Sequence, residues 1–251
     1  MTINYDNSPY PVRQDIRDAH RRVWRHIAAA GTWFDGATRV AIAAETRQAA
    51  HCTLCADRKA ALSPYAVNGD HDGLGVLPDT MVEAIHRIAT DPARLTEQWV
   101  RSILDGGIAD TEYVEMVAVL AHAMCVDTFT DGLGLERHPL PEAIPGEPSR
   151  DRPEGSVIDT AWLPTVPPAK ATGDLLSIYP GSIGDAPPAA PHVRQAMSLV
   201  PREAVSFFGL NDVQYFPPAA MWQVDVNPRS IEKSQVELVA SRVSSLNGCF
   251  Y

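Results

Sequence analysis

Proline placement divides this chain before any other feature does. Twelve of its 21 prolines fall between residues 139 and 191. Proline lacks the amide proton that a helix interior or a central strand needs, and it disfavours helical backbone at the residue before it. That stretch therefore reads as a long, irregular connector. The sequence on either side is poorer in proline and carries helical periodicity. The expected organisation is a helical half over 1–138, the connector over 139–191 and a second helical half over 192–251.

In the first half, Ile16, Val23, Trp24 and Ile27 recur at helical spacing over 13–30, and Gly31 supplies the stop. A second helix is expected over 34–62, opening near Asp35 and ending before Pro64. Residues 65–79 are rich in Gly, Asn and Asp and read as a loop. A third helix opens at Pro78-Asp79, and a fourth covers 90–104 with Thr90 or Asp91 as N-cap and Pro92 in its first turn. The fifth, 109–134, is apolar on nearly every side and should be buried. Helical patterns resume over 192–209 and 228–247. Strand signals are poor throughout, so the expected class is all-α.

Composition limits the function classes. At 45% hydrophobic residues the chain can bury a sizeable core. Its formal charge is −10, and its longest basic cluster is His20-Arg21-Arg22 followed by Arg25 and His26, which is no nucleic-acid footprint. No run of eighteen apolar residues is present, and the polar N-terminus lacks the apolar segment of a secretory leader. The expectation is a cytoplasmic protein without membrane or nucleic-acid partners.

The candidate chemistry lies in "AAHCTLCADRK", residues 49–59, which holds Cys52 and Cys55, two of the four cysteines. Three readings compete. A closed zinc site needs four ligands, and there is no second close cysteine pair, so distant histidines such as His71 or His86 would have to be recruited. Free cysteines also pack as small hydrophobes. The third reading is a redox dithiol, because residues three apart on a helix share a face and their sulfurs can meet. Arg58 and Lys59 follow Cys55, and positive charge lowers a thiol's pKa. His51 adjoins Cys52, and Glu45 lies two turns before it on the same face, where it can accept a proton. The dithiol reading is favoured, with no metal and no cofactor expected.

The apolar helix adds Glu115 and His122, seven residues apart on one face, with Cys125 one turn beyond and Asp127 as a further acid. A carboxylate there should have a raised pKa unless paired, which suits a proton relay; an ion pair holding helices together is the competing reading. There is also an internal echo. "TRVAIAAETRQAAHCTLC" and "SQVELVASRVSSLNGCFY" both run an Ala/Val-rich helix into a cysteine. Aligned on Cys52 and Cys249, Val40 stands opposite Glu237 and His51 opposite Gly248, and the second copy reads as incomplete at Tyr251.

These two segments, and more weakly "DTEYVEMVAVLAHAMCVDTF", resemble the alkylhydroperoxidase AhpD-like and carboxymuconolactone decarboxylase superfamily. The resemblance implies an all-helical bundle acting as a thiol peroxidase or disulfide reductase on a small hydroperoxide or disulfide. In that chemistry one thiolate attacks the peroxide O–O bond and becomes a sulfenic acid, and the second thiol condenses with it to a disulfide that a dithiol reductant protein reopens. It implies Cys55 as the attacking and Cys52 as the resolving residue, no cofactor, and a homo-oligomer. The family's glutamate twelve residues before the first cysteine is matched by Glu237 ahead of Cys249, but that position before Cys52 is Val40. The family's histidine four residues after the second cysteine is Lys59, and the histidine between its cysteines is Leu54. Proton handling at Cys52 and Cys55 then falls to His51, Glu45, Glu115 or His122. Two alternatives remain at this level: a decarboxylase or lactone-acting enzyme of the same fold without redox thiols, and a non-catalytic oligomerisation or binding module.

Overall fold

A computed structural model describes residues 3–179, 191–217, 220 and 226–248. Among these the fold is all-α, with no strand and one isolated bridge between Val157 and Thr165. The helices are α1 (Gln14–Ala28), α2 (Gly36–Gln48), α3 (Thr53–Ala60), α4 (Asp79–Thr90), α5 (Glu97–Asp105), α6 (Asp110–Gly132), α7 (His192–Gln195), α8 (Pro201–Gln214) and α9 (Lys233–Leu246).

Helix α6 is the centre, with α1, α2, α4 and α8 packed around it. Ile27, Ile42, Ile85, Met116 and Val119 are all fully buried in the shared core, and Leu210 of α8 joins them. By length and composition α6 could cross a bilayer, but 67% of its most apolar window is buried within the fold. Neighbours around most of its circumference are the reason it carries so little polar surface.

Helix boundaries differ from expectation where side chains supply caps. Asp35 caps α2 by accepting from Thr38 N at 2.7 Å, as its sequence position implies. The helix expected over 90–104 is instead a 3-10 turn, Pro92–Arg94, followed by α5. Thr96 rather than Thr90 or Asp91 caps α5, accepting from Trp99 N at 3.2 Å, while the Asp91 carboxylate is taken by Arg87 and Arg94. The stretch expected as one helix over 192–209 splits, because Pro201 starts a new helix at its first turn. Helix α9 starts at Lys233, later than the expected 228.

The connector is tied to the corner between α1 and α2. Ile144 N donates to Ala28 O at 2.8 Å and Arg150 N to Thr32 O at 2.8 Å. Arg152 pairs with Asp110 at the start of α6, at 2.7 and 2.8 Å.

Under that corner lies a buried charged cluster joining α1, α2, α6 and α8. Arg39 Nη1 donates to Glu115 Oε1 at 2.5 Å and to Glu203 Oε1 at 2.8 Å. Glu115 also accepts from the amides of Thr32 and Trp33 at 3.0 and 2.6 Å. His26 Nε2 meets Glu203 Oε1 at 2.9 Å. Burial would raise the Glu203 pKa, but Arg39 and His26 outweigh it and hold the carboxyl far below its usual range. His122 donates from Nδ1 to Ala118 O at 2.7 Å, and burial pushes its pKa down to about 4.

Gly31 carries the turn onto this cluster. A Cβ there would stand 2.0 Å from Glu115 Oε1 and 2.3 Å from Arg39 Nη1. Gly31→Ala is therefore expected to cost about 1–3 kcal/mol by forcing the ion pair apart. Urea unfolding measures it; an unchanged midpoint would show that the turn yields without disturbing the pair.

Candidate functional site

The continuous helix expected over 34–62 breaks at the cysteines. Helix α2 ends at Gln48, a 3-10 turn covers Ala49–His51, and Cys52 is extended, with φ −77° and ψ 123°. Cys52 is thus the N-cap residue of α3, and Cys55 lies in its first turn. The two cysteines meet through this bend, not along one continuous helix face. Tertiary contacts override local propensity here: Asp72, from the loop between α3 and α4, accepts from Thr53 N at 2.7 Å and satisfies the new helix start.

Cys52 and Cys55 are free, buried and approach to 3.6 Å. That is well beyond the roughly 2.05 Å of a disulfide bond. Two histidines close around them, His71 from the loop and His86 from α4. His71 Nδ1 lies 3.4 Å from Cys52 Sγ and 3.5 Å from Cys55 Sγ. His86 Nδ1 lies 3.4 Å from Cys55 Sγ. Each imidazole is held from behind by a carboxylate. His71 Nε2 donates to Glu83 Oε2 at 2.8 Å, and His86 Nε2 donates to the buried Glu45 Oε1 at 2.9 Å. With Nε2–H spent on a carboxylate, each ring turns its Nδ1 to the sulfurs. Arg58 and Trp99 donate to Glu83 at 2.7 and 3.0 Å, and Leu74 N donates to Glu45 at 3.1 Å.

The electrostatics follow from these contacts. Burial alone would raise the Cys52 pKa. Amide hydrogen bonds from Cys55 and Asp72, with His71 beside the sulfur, outweigh burial and lower it. A position at a helix N-terminus acts in the same direction. Burial would lower the His71 pKa, but its contacts with Cys55, Glu83 and Cys52 win and lift it to about 10. Glu83 is drawn down to about 2, its burial outweighed by His71, Arg58 and Trp99. His86 falls below its ordinary value, chiefly through burial, against the pull of Glu45. A cavity of about 380 Å³, lined in part by Asp70, His71, Leu77, Val82 and Glu83, borders the group.

The residues expected to serve the dithiol are distributed unevenly. Glu45 lies at the site, its carboxylate 2.9 Å from His86 Nε2. His51 is exposed on the 3-10 turn, where the chain bends away, and the imidazoles beside the sulfurs are those of His71 and His86. Lys59 is exposed, whereas Arg58 reaches Glu83 and His71. Glu115 and His122 do not join the cysteines; they belong to the Arg39–Glu203 cluster. Asp127 is bound by Arg47 through two contacts of 2.7 Å. Burial pushes the Cys125 thiol up to about 11, away from the reactive thiolate form. Glu237 accepts from Tyr215 OH at 2.5 Å, and Cys249 lies outside the described residues.

Glu83 and Trp99 were not anticipated. The available signal was that Glu83 and His86, three apart, share a face of α4. No protein-family model, no curated protein and no solved structure matches the chain, so its site stands on its own geometry.

Proposed function

We propose that this chain is an AhpD-like thiol-dependent hydroperoxidase or disulfide reductase that cycles Cys52 and Cys55 between dithiol and disulfide. One observation carries the reading. The two cysteines approach to 3.6 Å, and the imidazoles that touch them are each backed by a carboxylate. Such pairs orient a ring and let it take or return a proton.

In this reading Cys52, held as a thiolate by amides and the α3 N-terminus, attacks the peroxide. This exchanges the roles that the family resemblance implied. The O–O bond breaks, Cys52 becomes a sulfenic acid, and the departing alkoxide takes a proton to leave as an alcohol. Cys55 then gives its proton to His86 and attacks the Cys52 sulfur; the sulfenic hydroxyl takes up a proton and leaves as water. An external dithiol protein restores both thiols. The expected setting is a homo-oligomer in the reducing cytoplasm.

Steady-state hydroperoxide consumption with a small dithiol tests this. Cys52→Ser and Cys55→Ser are each expected to lose about 10³-fold or more in turnover. Cys55→Ser should still undergo one stoichiometric oxidation, trapped as a sulfenic acid on Cys52 by a dimedone probe. Turnover retained in either serine variant would sink the proposal.

A further inference from the structure

We propose that Cys52, Cys55, His71 and His86 form a tetrahedral Zn²⁺ site. One donor atom from each of the four residues lies within 4.8 Å of all the others. Four of the contacts match edges of a metal tetrahedron. With Zn–S near 2.3 Å and Zn–N near 2.0–2.1 Å, those edges are about 3.8 Å between sulfurs and about 3.5–3.6 Å between sulfur and nitrogen. The cysteines approach to 3.6 Å, and the three sulfur–nitrogen contacts are 3.4, 3.5 and 3.4 Å.

The orientation of the rings agrees. Metal-binding histidines offer one nitrogen to the ion and donate from the other to a carboxylate or carbonyl. His71 and His86 both aim Nδ1 inward and donate from Nε2, to Glu83 and Glu45 respectively. Two thiolates and two imidazoles suit Zn²⁺ and disfavour hard cations such as Mg²⁺ and Ca²⁺. Cys52, Cys55 and His86 are buried and all four positions are filled by protein, which is the closed arrangement of a holding site. The second group of candidate ligands, His26, His122 and Glu203, differs in kind: the Arg39 guanidinium, 2.8 Å from Glu203, already supplies the cation there.

The centre thus accepts either two protons or one divalent ion. Binding releases the two protons and ties both sulfurs to the metal. A hydroperoxide can still draw two electrons from the sulfurs. The S–S bond then forms, the O–O bond breaks to alcohol and water with uptake of two protons, and the ion loses two of its four ligands and leaves. Metal binding itself does not depend on the peroxidase reading; only this oxidative release does.

The test uses the full chain, reduced and stripped with a chelator, then titrated with Zn²⁺ against a chromogenic chelator and separately with Co²⁺. The expected result is one Zn²⁺ per chain, and a Co²⁺ spectrum with intense tetrahedral d–d bands and thiolate-to-cobalt charge transfer. Cys52→Ser should lose about half of that charge transfer, and Glu83→Gln should weaken Zn²⁺ binding about 10- to 100-fold. Far-ultraviolet circular dichroism confirms that each variant is folded, and Cys125→Ser should bind as wild type does. Absence of stoichiometric Zn²⁺, a weak octahedral Co²⁺ spectrum, or binding unaltered in Cys52→Ser would overturn the site. Peroxide consumption by the metal-free protein is read separately. Stoichiometric Zn²⁺ on a chain without turnover supports the site and removes the redox reading; turnover without Zn²⁺ binding does the reverse.

Discussion

Arg39→Met is expected to destabilise the fold by about 3–5 kcal/mol, a shift of roughly 10²- to 10³-fold or more in the folding equilibrium. The guanidinium lies 2.5 Å from Glu115 and 2.8 Å from Glu203, and all three side chains are 0% exposed. Methionine fills similar space but leaves two carboxylates facing each other out of water. The loss comes from those uncompensated charges, not from the contact as such. Adding Glu115→Gln and Glu203→Gln to Arg39→Met should therefore recover most of it, since a glutamine at 115 still has a carbonyl for the Thr32 and Trp33 amides. Urea midpoints at neutral pH measure all the variants. A cost below about 1 kcal/mol for Arg39→Met would contradict the charged, dry cluster described above.

The second large effect is an early loss of stability in acid. Burial pushes the pKa of both His20 and His122 down to about 4, with the charge of His138 adding to the effect at His20. At His122, Glu203 opposes the shift while His26 and Arg39 reinforce it. The unfolded chain titrates near 6.5. Between these values the unfolded state binds more protons, so stability is complete above about pH 6.5 and falls as pH drops toward 4. At pH 5 each histidine should remove about 2 kcal/mol. Glu83 and Glu203 act in the same direction at lower pH, because their folded pKa values lie below the ordinary carboxylate range. His71, lifted to about 10, acts the other way and adds stability as pH falls to 6.5, so urea unfolding at pH 6.5 and pH 5 checks the sign. His122→Gln should remove about half of the difference, and equal wild-type midpoints at the two pH values would show that both rings are charged or hydrated in the fold.

What the sequence could reveal depended on how local the cause was. Helices α1 and α6 were legible because their apolar pattern is set by burial along their own length, and the connector because proline acts on its own backbone. The bend at Cys52 was not. No glycine or proline marks "RQAAHCTLC", and the residue that caps the new helix, Asp72, lies in a loop nineteen residues beyond Thr53. The same bend explains His51, the nearest histidine in sequence, which ends up exposed while His71 and His86 arrive from farther along the chain. Glu45 was legible as an acid near the dithiol, although the group it touches is His86. Glu115 and His122 do share a face of α6, but what that face meets was set by Arg39 and by Glu203, which lies 164 residues from Arg39. Nothing local to α6 could name that partner.

The buried charged cluster also has a history within each folding event. Its Arg39–Glu115 pair joins residues 76 apart, whereas His26 and Glu203 are separated by 177. Closing so long a loop costs chain entropy before any contact repays it. The helices α1, α2 and α6 can therefore gather first around Arg39 and Glu115, and Glu203 reaches them only after the connector has carried α8 back. Contacts completed that late should be largely absent at the folding barrier, so Glu203→Gln is expected to speed unfolding far more than it slows folding, as stopped-flow kinetics would measure.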